Sequence, residues 1–165
     1  QLLRLSRQEA VTGDAAPTEV DVSAVLRESI NGLIVLADQR RIDLGLLPTT
    51  VTSAPLRCPA ADLRSVVDNL IENALRYTPE GGVVDVRLAQ EGGKLVVEVI
   101  DSGPGIPLEL MERVFDRFFR VPGTGARGSG LGLAIARSVA QRCGLRISLR
   151  NRDDASGLVA RVETA

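Results

Sequence analysis

Asn69, Glu72, Asn73 and Arg76 recur at i, i+3, i+4 and i+7 beside a regular apolar stripe. At about 100° per residue this spacing gathers the four side chains on one arc of a helix, next to the apolar residues. A solvated helix face is the ordinary reading of such a row. Two asparagines weigh against it, because exposed helix positions favour Glu, Lys and Ala over Asn. The alternative is a surface for Mg²⁺ and phosphate, since amide oxygens and a carboxylate suit a hard cation and a guanidinium suits anionic oxygen.

Two glycine-rich strings follow. Asp101-Ser102-Gly103-Pro104-Gly105-Ile106 comes directly after a β-rich run. Read alone it is a turn. An Asp at a strand end with glycines beyond it would also let backbone approach a flat ligand, while the carboxylate accepts a hydrogen bond from an exocyclic amine such as that of adenine. Gly128-Ser129-Gly130-Leu131-Gly132-Leu133-Ala134-Ile135 runs into an apolar-periodic segment, and a helix N-terminus approached by glycines suits phosphate. Two motifs overlapping this string fail. Gly123, Gly125 and Gly128 match GxGxxG, but they follow a Phe/Arg/Pro segment with no βαβ unit around them. Gly123 and Gly128 also have Walker A spacing, yet Ser129 stands where that loop needs Lys.

Composition narrows the chemistry further. The 165 residues contain no histidine, which excludes Ser-His-Asp and Cys-His nucleophiles and histidine metal ligands. Acid–base work falls to carboxylates. Twenty Lys and Arg against 21 Asp and Glu leave a net charge of −1, with no broad positive field for nucleic acid. One Tyr and three Phe are too few to stack along a single strand. Cys58 and Cys143 belong to no CxxC pair, which argues against a zinc site or a disulfide and for a reducing setting. The longest apolar stretch, Leu33 to Ala37, is far short of the roughly 20 residues that span a bilayer.

The elements that must position these residues follow from periodicity. Residues 1–12 read as the end of a helix and Gly13 to Pro17 as a linker, so the chain reads as a piece of a longer protein. Val22, Val25, Leu26, Ile30, Leu33 and Ile34 mark a helix over Val22 to Arg41, with Asp21 or Ser23 as its cap. Extended pieces are expected at Asp43 to Leu47 and Thr49 to Ser53. Leu63, Val66, Val67, Leu70, Ile71, Ala74 and Leu75 define the stripe of the helix that ends at Tyr77. Val83 to Ala89 and Leu95 to Ile100 form a hairpin through Glu91-Gly92-Gly93. A short helical stretch near Leu108 to Val114, a helix over Leu131 to Arg142, and strands at Leu145 to Arg150 and Gly157 to Val162 complete the chain. Three long helices and several strands predict an α/β (α+β) two-layer sandwich, a mixed, mostly antiparallel sheet covered on one face by helices.

Taken in order, Asn69 to Pro79, Asp101 to Ile106, Phe115-Asp116-Arg117-Phe118-Phe119-Arg120 and Gly128 to Ala134 resemble the N box, first glycine box, F box and second glycine box of the sensor histidine kinases. Arg76, where Lys is more usual, and Phe119, where Tyr often stands, are mild departures. The resemblance spans roughly residues 18–163 and implies the Bergerat ATP-binding fold shared with gyrase, Hsp90 and MutL. It implies a catalytic domain over residues 18–165, with residues 1–17 the end of a dimerisation and phosphotransfer helix plus a linker.

By that resemblance the ligands are ATP and Mg²⁺. Asn73, assisted by Asn69, would hold the metal, Arg76 would meet phosphate and Glu72 would be the general base. Tyr77, Asp101, Gly103, Gly105 and Ile106 would surround adenine. Val121 to Arg127 would be the lid, Arg120 a phosphate contact, and Gly128, Ser129, Gly130, Leu131 and Gly132 the triphosphate loop. The implied reaction is γ-phosphoryl transfer to a histidine on the dimerisation domain, outside these residues, then to a response regulator receiver domain. The parent would be a homodimeric inner-membrane sensor with this domain in the cytoplasm. An anti-sigma-type serine kinase, a non-catalytic ATP-binding regulator and a gyrase-like ATPase are the rival readings.

Overall fold

The computed structural model describes residues 18–165; the helix and linker expected over residues 1–17 lie outside them. In chain order the elements are β1 (Glu19–Asp21), α1 (Val22–Gln39), β2 (Asp43–Leu46), β3 (Pro55–Arg57), α2 (Ala60–Tyr77), β4 (Val83–Glu91) and β5 (Lys94–Asp101). Two 3₁₀ turns, Leu108–Leu110 and Arg113–Phe115, precede α3 (Gly132–Arg142), β6 (Leu145–Asn151) and β7 (Leu158–Thr164). Among the described residues no helix is long and apolar enough to cross a membrane.

Asp21 caps α1: its backbone is extended and its Oδ1 accepts from the Ser23 N–H at 3.1 Å, satisfying a donor the helix start leaves free. The stripe of α1 is buried at Val22, Val25, Leu26, Ile30 and again at Ala37, while Leu33 is half-buried and Ile34 exposed. All seven apolar positions expected on α2 are buried, each contributing roughly 1.5–3 kcal/mol of transfer free energy for the larger side chains. Pro79 prevents α2 from continuing, because the residue before proline is driven out of the helical region; Thr78 is extended, at ψ 128°. The C-terminal carbonyls of α2 are met from α1, where Arg40 Nη1 donates to Leu75 O at 2.6 Å and to Arg76 O at 3.1 Å.

Five strands form one sheet in the order β2-β4-β5-β7-β6, with β2 parallel to β4 and the other pairs antiparallel. Alternation along the strands gives the sheet two chemically different faces. Val84, Val86, Leu88, Val97, Val99, Ala160 and Val162 join α1, α2 and α3 in a single core. On the other face Glu98 sits in register between Arg87 and Arg161, and Glu163 in register with Arg146. Arg87 Nη1 and Arg161 Nη1 reach Glu98 at 2.7 and 3.3 Å, and Arg161 Nε reaches Glu163 at 2.9 Å. Arg146 also pairs with Glu163. The architecture is therefore the expected sandwich, with three helices on one side of a mixed sheet.

Three local expectations change. Thr49 to Ser53 is not a strand; Thr49 instead turns its hydroxyl to Leu88 O at 2.8 Å. The strand lies at Pro55–Arg57 and pairs antiparallel with β1 in a separate two-stranded sheet. The stretch near Leu108 to Val114 is two 3₁₀ turns, not one helix. Finally, Cys58 and Cys143 form a disulfide despite their 85-residue separation. Packing of α2 against α3 overrides distance along the chain: the two Cα atoms are 5.4 Å apart, within the range a disulfide spans, and Arg142 and Asp62 form an ion pair beside them at 3.6 Å.

Candidate functional site

Between α2, the loop after β5, the F box and the start of α3 lies an open cleft of about 700 Å³, open solvent at its mouth included. Its lining includes Asn73, Arg76 and Tyr77 from α2, Asp101, Gly105 and Ile106 from the first glycine string, Arg120, and Gly128, Gly130 and Gly132 from the second. The cleft thus brings together residues spread over some sixty positions of sequence. Asn69, Glu72, Gly103, Ser129 and Leu131 do not line it. Glu72 is half-buried one position from Asn73. Gly103 is buried behind the wall, its N–H bound to Asp101. Ser129 accepts from the Leu131 N–H at 3.3 Å, and Leu131 precedes the first turn of α3.

Asp101 is the most constrained polar group of the cleft. It is 4% exposed, and its Oδ1 accepts from Gly103 N at 2.9 Å and from Leu158 N at 3.1 Å. Two backbone donors therefore fix one oxygen, and Oδ2 is the atom left for a ligand. Burial pushes the carboxyl above its ordinary value of 3.8, and the two N–H bonds and Arg152 pull the other way. Such a group is suited to accept from a neutral amine, because its desolvation is already met by the fold.

A second group of lining residues carries chemistry that suits anions and a cation. Arg76 lies against the second glycine string: a Cβ at Gly128 would sit 2.9 Å from its Cζ. The Gly128 to Gly132 segment ends on the N-terminus of α3, whose free N–H groups carry partial positive charge. Asn69 Nδ2 donates to Ser65 O at 2.8 Å, which turns Oδ1 toward the start of α3, 3.3 Å from where a Gly132 Cβ would be. Asn69 and Asn73 thus stand one turn apart with amide oxygens available beside the glycine string. That donor set fits Mg²⁺, which keeps several waters and takes few protein oxygens alongside phosphate. Among the described residues no group of three or more His, Cys, Asp or Glu gathers for a metal.

The F box supplies the third side. Phe115 is buried under the Arg137 guanidinium of α3 at 4.8 Å, and Arg113 lies 4.5 Å over Phe119, which lines the cleft. Phe118 N donates to Gly130 O at 2.9 Å, tying the F box to the glycine string. Val121 and Thr124, within the expected lid, also face the cleft. Sequence reasoning missed Val114 and Leu158, apolar lining residues from separate elements with no local signal, and gave no role to Leu133 inside the second glycine string.

The family model of histidine kinase-, DNA gyrase B- and HSP90-like ATPases matches residues 59–164, the segment that supplies every one of these groups. This chain belongs to that ATPase family. Sensor protein QseC of Escherichia coli strain K12 is 35% identical over 162 residues, covering 98% of this chain and 35% of that protein. The chain accordingly spans about a third of the length of the curated relatives it matches. A mycobacterial sensor histidine kinase MprB structure is 32% identical, with a TM-score of 0.75 over 89% of this chain and 95% of that one. ShkA, solved full-length in complex with AMPPNP, aligns at 25% identity and TM-score 0.77 over 99% of this chain and 34% of its own. Histidine kinase ThkA, solved in complex with response regulator protein TrrA, aligns at 26% and 0.75 over 99% and 48%. The ATPase family's members thus share this chain's helix-covered mixed sheet.

Proposed function

We propose that this chain binds Mg²⁺·ATP in the cleft and transfers the γ-phosphoryl group to a histidine on the dimerisation domain of its parent protein. The observation that carries the reading is the polarity of the cleft. A buried carboxylate with one oxygen fixed by two N–H groups lines the same cleft as Asn73, Arg76 and a glycine string opening a helix.

Asp101 accepts the adenine amine through Oδ2, with Tyr77, Gly105 and Ile106 around the base and Gly103 behind them holding Asp101. Arg76 and Arg120 meet the phosphates, and the N–H groups of Gly128, Gly130 and Gly132 cradle them, with Ser129 holding the Leu131 N–H behind them. Asn73 and Asn69 would hold the Mg²⁺, which would supply neutralisation of phosphate charge. Positioning and charge neutralisation do most of the work in phosphoryl transfer. The imidazole nitrogen forms a bond to the γ-phosphorus as the bond to the β–γ bridging oxygen breaks. ADP leaves with that electron pair, and Glu72 takes the imidazole proton.

Residues 18–165 form the catalytic unit. The parent is a homodimeric inner-membrane sensor whose phosphohistidine passes the group to a response regulator receiver domain. The test is calorimetric titration of the purified chain with ATP, with and without Mg²⁺, followed by labelled γ-phosphate transfer to the parent's histidine-bearing domain. Magnesium-dependent binding and an acid-labile product on that domain are expected. Absence of binding up to millimolar ATP would overturn the nucleotide assignment, and binding without transfer would leave an ATP-sensing regulator.

A further inference from the structure

The last residue of β6 makes a contact that the nucleotide reading does not use. Asn151, half-buried and 45 positions from Ile106, meets that residue twice: its Oδ1 accepts from the Ile106 N–H at 2.8 Å and its Nδ2 donates to the Ile106 carbonyl at 2.8 Å. A neighbouring antiparallel strand would exchange this same pair of bonds. Among the described residues no strand does so, because β5 ends at Asp101 and the β6–β7 ladder ends at Asn151 opposite Leu158. One side-chain amide stands in for the missing strand.

Neighbouring features fit this arrangement. Gly105 has φ +75°, and a Cβ there would lie 2.5 Å from Asn151 Oδ1, so the glycine is needed for the amide to come in as well as for the turn. The same end of the sheet holds the loop at two more points. Ser156 Oγ donates to Gly103 O at 2.6 Å, and Arg152 Nη1 donates to Asp101 O at 3.3 Å. Gly105 and Ile106 line the cleft, whereas Asn151 does not. A Gly- and Pro-rich loop left free would have to be ordered at each binding event, at a cost in affinity; a loop held in place beforehand avoids that cost.

We infer that Asn151 is a positioning residue for adenine recognition: it fixes the Gly105–Ile106 wall where a flat base requires it without touching the nucleotide. This inference rests on the nucleotide reading above and adds to it a residue outside all four boxes. Asn151→Ala is expected to raise the Kd for Mg²⁺·ATP about tenfold, the loss of two side-chain bonds from a preformed wall, with calorimetric stoichiometry still near one. Amide hydrogen exchange should quicken at Ile106 and stay slow at Val97 and Val99 in β5. A Kd within twofold of the parent chain overturns the inference. So does a fall in stoichiometry with the remaining sites binding at the parental Kd, which is what a merely destabilised fold would give. Should the alanine variant not fold, Asn151→Asp serves instead. It keeps the shape and the acceptor but sets a second oxygen against the Ile106 carbonyl, and a parental Kd in that variant is equally fatal. Failure of the parent chain itself to bind ATP sinks the nucleotide reading. Unchanged Ile106 exchange in Asn151→Ala would then sink the clamp independently.

Discussion

Replacing Asp101 by Asn alters one atom and one charge at the deepest polar point of the cleft, so its cost can be worked from the bonds around it. The amide oxygen can take the place of Oδ1 and keep both backbone bonds, from Gly103 N at 2.9 Å and Leu158 N at 3.1 Å. The amide nitrogen then occupies the Oδ2 position and presents N–H to the N–H of an adenine amine. The loss is one charge-assisted hydrogen bond, about 1.5–3 kcal/mol, and at about 1.4 kcal/mol per decade this lowers ATP affinity about 10- to 150-fold. Stability should not fall with it. Burial already disfavours the ionised carboxyl, so a neutral isostere is expected to melt at the same temperature or slightly higher. Calorimetric titration of both chains with Mg²⁺·ATP, beside a thermal melt, checks the two expectations. The parent should also lose affinity as pH is lowered, beginning above the ordinary carboxyl value of 3.8 because burial raises this group, while Asp101→Asn should not. If Asp101→Asn binds ATP within twofold of the parent, Asp101 is not the adenine anchor.

Glu72→Gln should keep nucleotide affinity within a few fold yet cost on the order of 10²-fold or more in phosphotransfer, the range of a lost general base, whereas Asn73→Ala should lose both; labelled transfer beside titration separates them. Arg146 and Arg161 hold the Glu163 carboxyl down at about 2 against an ordinary 4.5. Its stabilising contribution is therefore complete above pH 4.5 and lost as pH falls toward about 2, and Glu163→Gln should flatten that part of an acid-unfolding curve. Leu70→Ala, at a side chain 2% exposed, should destabilise by about 2–5 kcal/mol in denaturant titration. Arg40→Ala, which frees the Leu75 and Arg76 carbonyls at the end of α2, should cost about 1 kcal/mol by the same measurement.

What the sequence revealed of this molecule was whatever is written locally. The α2 stripe from Leu63 to Leu75 and the Asn69 to Arg76 row beside it are statements about 3.6-residue periodicity, and both hold in the structure. The β4–β5 hairpin announces itself by Glu91-Gly92-Gly93 between β-rich runs, with Glu91 pairing Lys94 across the turn. Features that depend on distant segments meeting were not legible. The three-residue strands Glu19–Asp21 and Pro55–Arg57 exist only because each offers the other a ladder. Cys58 and Cys143 are brought together by helix packing that no spacing rule encodes. Leu158 and Asn151 reach the cleft region from the far end of the chain, as an apolar and an amide side chain with nothing around them to mark a site.

The sheet face that no helix among the described residues covers has a consequence for how this molecule meets its neighbours. Broad exposed sheets invite other sheets, and proteins blunt that tendency with charge. Here Glu98 is walled in by Arg87 and Arg161, and Glu163 by Arg161 and Arg146. Signs therefore alternate along the Arg87–Glu98–Arg161 row, and Glu98 and Glu163 already have their cations. A stranger pressing onto this surface would have to strip water from both kinds of charge and could offer neither a better partner. The part of the sheet around Glu98 and Glu163 is in this way made a poor surface for association.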